Sequence, residues 1–560
     1  MLLRAARSGS WLWIAVLTMA AALPYLPTLG YGFVYDDKPQ IVENGDLDSL
    51  QSIPRFFTQS ISKAVGFHNT RQPVFYRPLF FSQLCLTRVL FGRGPFAFHV
   101  VSLLFHIGNT LLLYLIVLRL GSGHATARLA GLLFAVHPVH VECVVWPSAT
   151  PDLMLLGATI VSLMAFLEAR ESRQSSAARY SWTAISLLAF LGGLFVKETS
   201  LIALPLLAAM VFLEPTRIDP SSLEPSNEST FRRLVVNLAP YLGLTIFYFV
   251  VRSRVLHGLA PTVTPISLLD MARTWPSAWW FYERHLILPT HSSILYDYDL
   301  VEHATFTAFW LPLAAVIATC GGAAWLLWRR RTPAVAVALL LLVLPILLVL
   351  NFRIFYWRDL VHDRYIYTPS AGFSILAAIM LLEAGRVVSK TISPAVQQFL
   401  GAGLLCALSL TTLAEAQSWR NNLSALANAA EIAPRNIAAQ IMLGDELELR
   451  HNLVEAKICY LRAVQLTPEW APAWFAYGRT LLLTGDSAGA IQSFRRTIAL
   501  DKSPTAEVWL AVAMDKAGQH DEARDLLVRA FAEDPAMMQT AVDLEKTVDS
   551  KQEASAAGSQ

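Results

Sequence analysis

Charge is what this chain has least of. Only 15% of its 560 residues are Asp, Glu, Lys or Arg, against about 25% in an ordinary soluble domain. Hydrophobic residues make up 54%, and the mean hydropathy is +0.45. Cysteine is scarce too: Cys85, Cys143, Cys320, Cys406 and Cys459 show neither metal nor redox spacing. That excludes a disulfide framework and leaves the thiols as small apolar filler. A formal charge of +2 and the lack of any polybasic tract give nucleic acid nothing to bind, so no nucleic-acid partner is expected.

Long hydrophobic runs are present instead. A helix needs roughly 20 apolar residues to cross a bilayer. Runs near 11–29, 98–118, 127–145, 152–168, 181–196, 199–213, 235–251, 306–328, 333–350, 368–385 and 396–414 predict about eleven spans. Residues 1–415 thus read as an all-α, polytopic domain of an integral, multi-pass membrane protein with the lipid bilayer as partner. The stretch 273–288 sets Trp275, Trp279 and Trp280 against Glu283, Arg284 and His285, which suits a helix lying at the interface.

Orientation follows from the basic loops, which favour the cytoplasm. With Arg4 and Arg7 placed there, Arg119 and Arg128, then Arg170, Arg173 and Arg179, then Arg217, Arg232 and Arg233 fall on the same side. Arg329, Arg330 and Arg331, with Arg386 and Lys390, follow them. An odd span count puts the C-terminal region outside, with Asp36 and Asp37. The first run lacks a small-x-small cleavage pattern and is read as retained. The outer loops hold Asp36, Asp37, His137, His140, Glu142, Asp152, Lys197, Glu198, Tyr296, Asp297, Asp299, Arg358, Asp359, Asp363 and Arg364. Solubility explains part of this, because a charge within the bilayer is costly. It does not explain His137-Pro138-Val139-His140-Val141-Glu142 inside an apolar run, or Lys197-Glu198 between two spans with almost no loop.

A second region has a 34-residue period. Gly444 recurs at Gly478, Ala456 at Ala490 and Pro434 at Pro468, each 34 apart, and Ala523 follows Ala490 by 33. Four residues after each small alanine comes a bulky residue: Tyr460, Phe494, Leu527. Such a pattern, small where two helices touch and large in the hole between them, is that of tetratricopeptide repeats. It predicts an α-solenoid of three units, 437–470, 471–504 and 505–537, joined to the membrane domain by a half-repeat at 416–436. Such arrays present a concave groove to extended chain. The polar tail 545–560 reads as disordered.

Several motifs occur in a fixed order: Tyr35-Asp36-Asp37, Tyr76-Arg77-Pro78-Leu79, Phe98-His99 through Phe105-His106, Leu133 through His137-Pro138-Val139-His140-Val141-Glu142, Lys197-Glu198, and Asp363-Arg364-Tyr365-Ile366-Tyr367-Thr368-Pro369-Ser370. Followed by the repeats, they resemble the transmembrane-and-tetratricopeptide-repeat-containing O-mannosyltransferases of the C-type glycosyltransferase superfamily. The repeat array is shorter than in animal members, as a bacterial relative would have it. The resemblance implies transfer of a sugar, mannose or another hexose, from a polyprenyl-phosphate donor to Ser or Thr hydroxyls of exported or membrane proteins outside the cytoplasm. It also implies that a first-loop acid, Asp36 or Asp37, is the general base.

The residues suit that chemistry. A hydroxyl nucleophile needs a carboxylate in hydrogen-bond reach, and the leaving lipid phosphate needs a cation. Arg364 comes first for its forked guanidinium, then Lys197, then Arg77. His137, His140, Glu142, Glu198 and Tyr365 are expected to wall the sugar or phosphate. No cofactor is required. A divalent metal held by His137, His140 and Glu142 is the alternative, since a spacing of three puts both histidines on one helix face. Two other readings remain: a non-catalytic membrane-anchored scaffold, and a glycosyltransferase acting on lipid or polysaccharide. A transporter fits less well, because no internal repeat of spans is evident.

Overall fold

The computed structural model describes residues 11–60, 75–171, 175–213, 230–258, 265–355, 359–535 and 537–557. Arg4, Arg7, Arg173, Arg217 and Arg358 lie outside them. Among the described residues the regular secondary structure is all helical, without strands. Two compact units form: Met1–Ser293 with Tyr298–Asn421, and Ile294–Asp297 with Asn422–Gln560.

The first unit contains α1 (Trp11–Ala22), α2 (Ile53–Thr58), α3 (Pro78–Phe91), α4 (Pro95–Arg119), α5 (Gly123–Ala135), α6 (Val141–Val145), α7 (Thr150–Ala169) and α8 (Ser176–Val196). It continues with α9 (Ala203–Leu213), α10 (Thr230–Leu256), α11 (Leu268–Ile287), α12 (Leu311–Arg330), α13 (Pro333–Val349), α14 (Tyr367–Val388) and α15 (Pro394–Ala416). Eight helical stretches among the described residues are long and apolar enough to cross a membrane, or nine if a bent pair counts as one. Three of the eleven expected runs fall outside that count as bent or shorter apolar helices. The run 127–145 breaks between α5 and α6 with a 54° bend, because Pro138 opens a 3-10 turn there. The stretch Glu198–Leu213 gives its first five residues to a 3-10 turn. Stretch Pro333–Val349 has 17 residues, or about 26 Å at 1.5 Å per residue.

Small residues let the spans approach. A Cβ on Gly372 would come within 2.2 Å of the Ala338 carbonyl oxygen, so glycine is what permits α13 and α14 to cross in contact. Hydroxyls add polar links, as expected between helices in lipid: Ser186 Oγ donates to the Ser162 carbonyl at 2.7 Å and lies 2.6 Å from Tyr241 Oη.

The span directions agree with passage back and forth across a bilayer. The end of the first span, the start of α7, the end of α8 and the start of α14 meet at one end of the unit, around Asp36, Asp152, Lys197 and Arg364. The last span returns there: Gly32 N–H donates to the Arg420 carbonyl at 3.0 Å, and the Trp419 ring lies 6.0 Å from that of Trp146.

The second unit opens with α16 (Asn422–Ile432). Three helical hairpins follow: α17 (Ile437–Leu449) with α18 (Leu453–Leu466), α19 (Ala471–Leu483) with α20 (Ser487–Leu500), and α21 (Pro504–Lys516) with α22 (His520–Glu533). Their first helices start at 437, 471 and 504, a step of 34 and then 33. The packing explains the small–large rhythm. A Cβ on Gly444 would lie 2.6 Å from the Tyr460 ring, and one on Gly478 3.0 Å from that of Phe494. Asn452 and Asp486 cap α18 and α20 by accepting from Glu455 N–H and Gly489 N–H, each satisfying an otherwise unpaired donor. The tail expected to be disordered from 545 instead belongs to α23 (Met537–Ala557). Its Ala, Glu, Lys and Gln content favours helix, and Ala541, Leu544 and Val548, spaced by three and four, are buried.

Candidate active site

The converging span ends enclose a cavity of about 360 Å³. Asp36, Arg77, Lys197, Glu198, Arg364 and Tyr365 all line it, as do Tyr35, Trp146, Asp152 and Asp359. Five segments distant in sequence supply them, each at the end of a helix or in the loop beside one.

The structure separates the two neighbouring acids. Tyr35 has φ +49, a left-handed conformation seldom taken by a residue with a side chain. Past this turn Asp36 faces the cavity. Among the described residues its carboxylate accepts one long hydrogen bond, from Gln40 Nε2 at 3.3 Å. Asp37 turns inward and is fully buried. It accepts from Ser148 N–H at 2.9 Å, Ser148 Oγ at 2.6 Å and Val34 N–H at 3.1 Å. Those bonds pin the loop 34–37 to the segment after Trp146. Burial pushes the Asp36 carboxyl up to about 6, with Arg364 opposing and Asp359 adding to the rise. Burial takes Asp37 to about 7 against the pull of the Ser148 and Val34 bonds.

The cations are built in, not merely present. Glu142, with 0% exposure, accepts from Arg364 Nη1 at 2.6 Å and from Arg364 N–H at 2.9 Å. The Arg364 guanidinium stacks over Trp146 and Tyr365, at 5.2 and 5.0 Å. Lys197 Nζ donates to Asp152 at 2.6 Å and sits 5.2 Å over the Tyr365 ring. Burial lowers the Lys197 pKa, and Asp152 works against that fall. Arg77 differs from both. It lies over Phe75 at 4.5 Å, and its buried Nε has no hydrogen-bond partner among the described residues. Glu198 lies 3.9 Å from Arg252.

His137 and His140 are not in the cavity. His137 Nε2 donates to the Leu286 carbonyl at 3.0 Å, and Val139 N–H donates to its Nδ1 at 3.3 Å. His140 Nε2 meets Ser370 Oγ at 2.6 Å. Both rings are buried and fasten α11 and α14 around the bend, so the structure does not bring them to the lining of this cavity. Glu142 is turned to Arg364, so the three do not converge on a common point. Among the described residues no group of three or more His, Cys, Asp or Glu is arranged to hold a metal. Asp152, Asp359 and Trp146 were given no role from sequence. Asp359 pairs with His362 at 3.0 Å; burial would raise its pKa, but His362 and Arg364 outweigh that and lower it. The only sequence signal for Asp359 was its nearness to Asp363-Arg364.

Fold and site together define a multi-pass helical membrane protein with a polar cavity, lined by residues of both charge signs, at the ends of its spans. Residues 77–221 match the family model described as dolichyl-phosphate-mannose-protein mannosyltransferase. The chain is 24% identical over 465 residues to protein O-mannosyl-transferase F38B6.6 of Caenorhabditis elegans, which covers 82% of this chain and 63% of that one. It is 24% identical over 488 residues to human protein O-mannosyl-transferase TMTC3, covering 81% and 51%. The chain is thus similar to these protein O-mannosyl-transferases, and spans about half to two thirds of their length. The solved structure of ArnT from Cupriavidus metallidurans bound to undecaprenyl phosphate aligns with 93% of this chain and 80% of that one, at 17% identity and a TM-score of 0.40. That likeness is too loose to assign residues.

Proposed function

We propose that this protein is a membrane glycosyltransferase that moves a sugar from a polyprenyl-phosphate donor to Ser or Thr hydroxyls of proteins outside the cytoplasm. The observation that carries the reading is Asp36: an under-bonded carboxylate in the lining of a cavity that Arg77, Lys197 and Arg364 also line. The acceptor oxygen attacks the anomeric carbon as the bond to the phosphate oxygen breaks. The hydroxyl proton passes to Asp36, and the polyprenyl phosphate leaves with the bonding pair. Cations fixed by buried partners stabilise the charge that develops on it. Arg77, with an unused buried donor, is the first choice for direct phosphate contact. Arg364 and Lys197, each already paired, supply field and shape. Glu142 acts through Arg364 as a positioning residue.

The same reading takes the three hairpins as tetratricopeptide units that engage the acceptor chain. The return of the last span to the cavity end supports a shared membrane face for Asp36 and the C-terminal end of that span. The basic loops support assigning that face to the outside. The test is mass spectrometry of exported and membrane proteins from cells with and without the gene. Loss of hexose from Ser or Thr in the deletion strain is expected; an unchanged hexose inventory contradicts the proposal.

A further inference from the structure

The first hairpin of the second unit carries apolar surface that the later hairpins largely lack. Along α18, Val454, Ile458 and Leu461 are 65%, 61% and 37% exposed, and Leu449, at the end of α17, is 72% exposed. Steps of four and three put the α18 trio on one face, away from the buried Leu453, Ala456, Tyr460 and Ala463. The other hairpins serve as an internal control. The positions 34 residues on are Ala488, Gln492 and Arg495, and those 33 further are Asp521, Asp525 and Val528, all exposed. Folding of a hairpin therefore does not require three large apolar residues there, and grouped exposed apolar side chains mark an interaction surface.

The neighbourhood favours lipid as the occupant. Lys457 and Arg462 lie beside the stripe and His451 precedes it, with the surface acid Glu455 among them, while Arg450 is paired to Glu446 at 2.9 Å. An aliphatic face bordered by basic residues matches the interfacial zone of an anionic bilayer. A protein partner would be expected to call for aromatic anchors, and the stripe has none. The stripe also belongs to the hairpin nearest in sequence to the last span, with only α16 and α17 between. We propose that the Val454–Ile458–Leu461 face of α18 rests on the surface of an anionic bilayer. The inference depends on the membrane-spanning character of the first unit and not on the sugar chemistry.

The test uses the full chain in nanodiscs of phosphatidylcholine with and without phosphatidylglycerol. The exposed Cys320 and Cys406 are replaced by alanine, while Cys85, Cys143 and Cys459 are buried. An environment-sensitive nitrobenzoxadiazole probe is attached through Ile458→Cys, or through Gln492→Cys as the control. The proposal expects blue-shifted emission at 458 but not at 492, loss of the 458 signal to doxyl-labelled lipid, and resistance to iodide. The shift should be larger with phosphatidylglycerol and smaller after Lys457→Gln with Arg462→Gln. Equal emission and equal iodide quenching at both positions would overturn it. So would a 458 probe shielded from iodide yet insensitive to doxyl lipid, since protein, a second copy included, would then cover the face.

Discussion

Asp36 and Asp37 are adjacent in sequence and differ in their hydrogen bonds, and the proposed function gives them different work. Asp37 spends its carboxylate on three donors within the fold, while Asp36 keeps most of its acceptor capacity for the cavity. The pH dependence follows. A base must be ionised to accept a proton, and burial holds the Asp36 carboxyl up at about 6. The kcat/KM for transfer should therefore climb about tenfold per pH unit toward pH 6 and level off above it; a profile flat from about pH 4.5 to 8 speaks against Asp36 as the base. Asp37→Asn should behave differently. An amide can still accept from Ser148, but its NH2 then faces the Val34 N–H. An unsatisfied buried donor costs roughly 1–3 kcal/mol, so we expect a lower thermal midpoint with part of the activity kept. An unchanged melting curve would show that the loop does not depend on that bond.

At the scale of elements, the site exists because helices end where they do. The α5–α6 break carries Glu142 to Arg364 and Trp146 to the cavity rim, and the close α13–α14 crossing sets the start of α14, which follows directly on the turn that holds Arg364. Gly372→Ala would drive a methyl group into the Ala338 carbonyl, backbone that cannot rotate away. Overpacking of this kind costs about 1–3 kcal/mol, and a lower midpoint in a thermal-shift assay in detergent is the expected readout; wild-type stability would mean the crossing adjusts freely. Some of this was legible in sequence. Lys197-Glu198 stood out because charges between two apolar runs need a reason, and both line the cavity. His137 and His140 lie away from the cavity lining because a spacing of three places two rings on one face only within a regular helix. Pro138 replaces that helix by a tight turn, and each ring finds a separate partner. The long C-terminal helix was missed because a polar composition says little about three apolar residues at helical spacing. Asp359 and Asp152 were visible only as loop acids, since their partners come from segments far away in the chain.

For the whole molecule, the account is one of divided labour: a membrane unit for donor and chemistry, a helical repeat unit for acceptor. Removing 437–560 should weaken modification of an intact protein acceptor far more than transfer to a short peptide, compared on a truncated protein that still extracts as a monodisperse species. Equal modification of both acceptors would leave the repeats a structural role only. The central claim is that the cavity transfers a sugar with Asp36 as base. Its most direct test is transfer by the purified full-length protein from radiolabelled polyprenyl-phosphate mannose to an acceptor peptide, with Asp36→Asn alongside. The account predicts measurable transfer by the native chain and a fall of about 100- to 10,000-fold in the variant, with donor binding and melting behaviour preserved. Transfer by Asp36→Asn at near-native rates would contradict it.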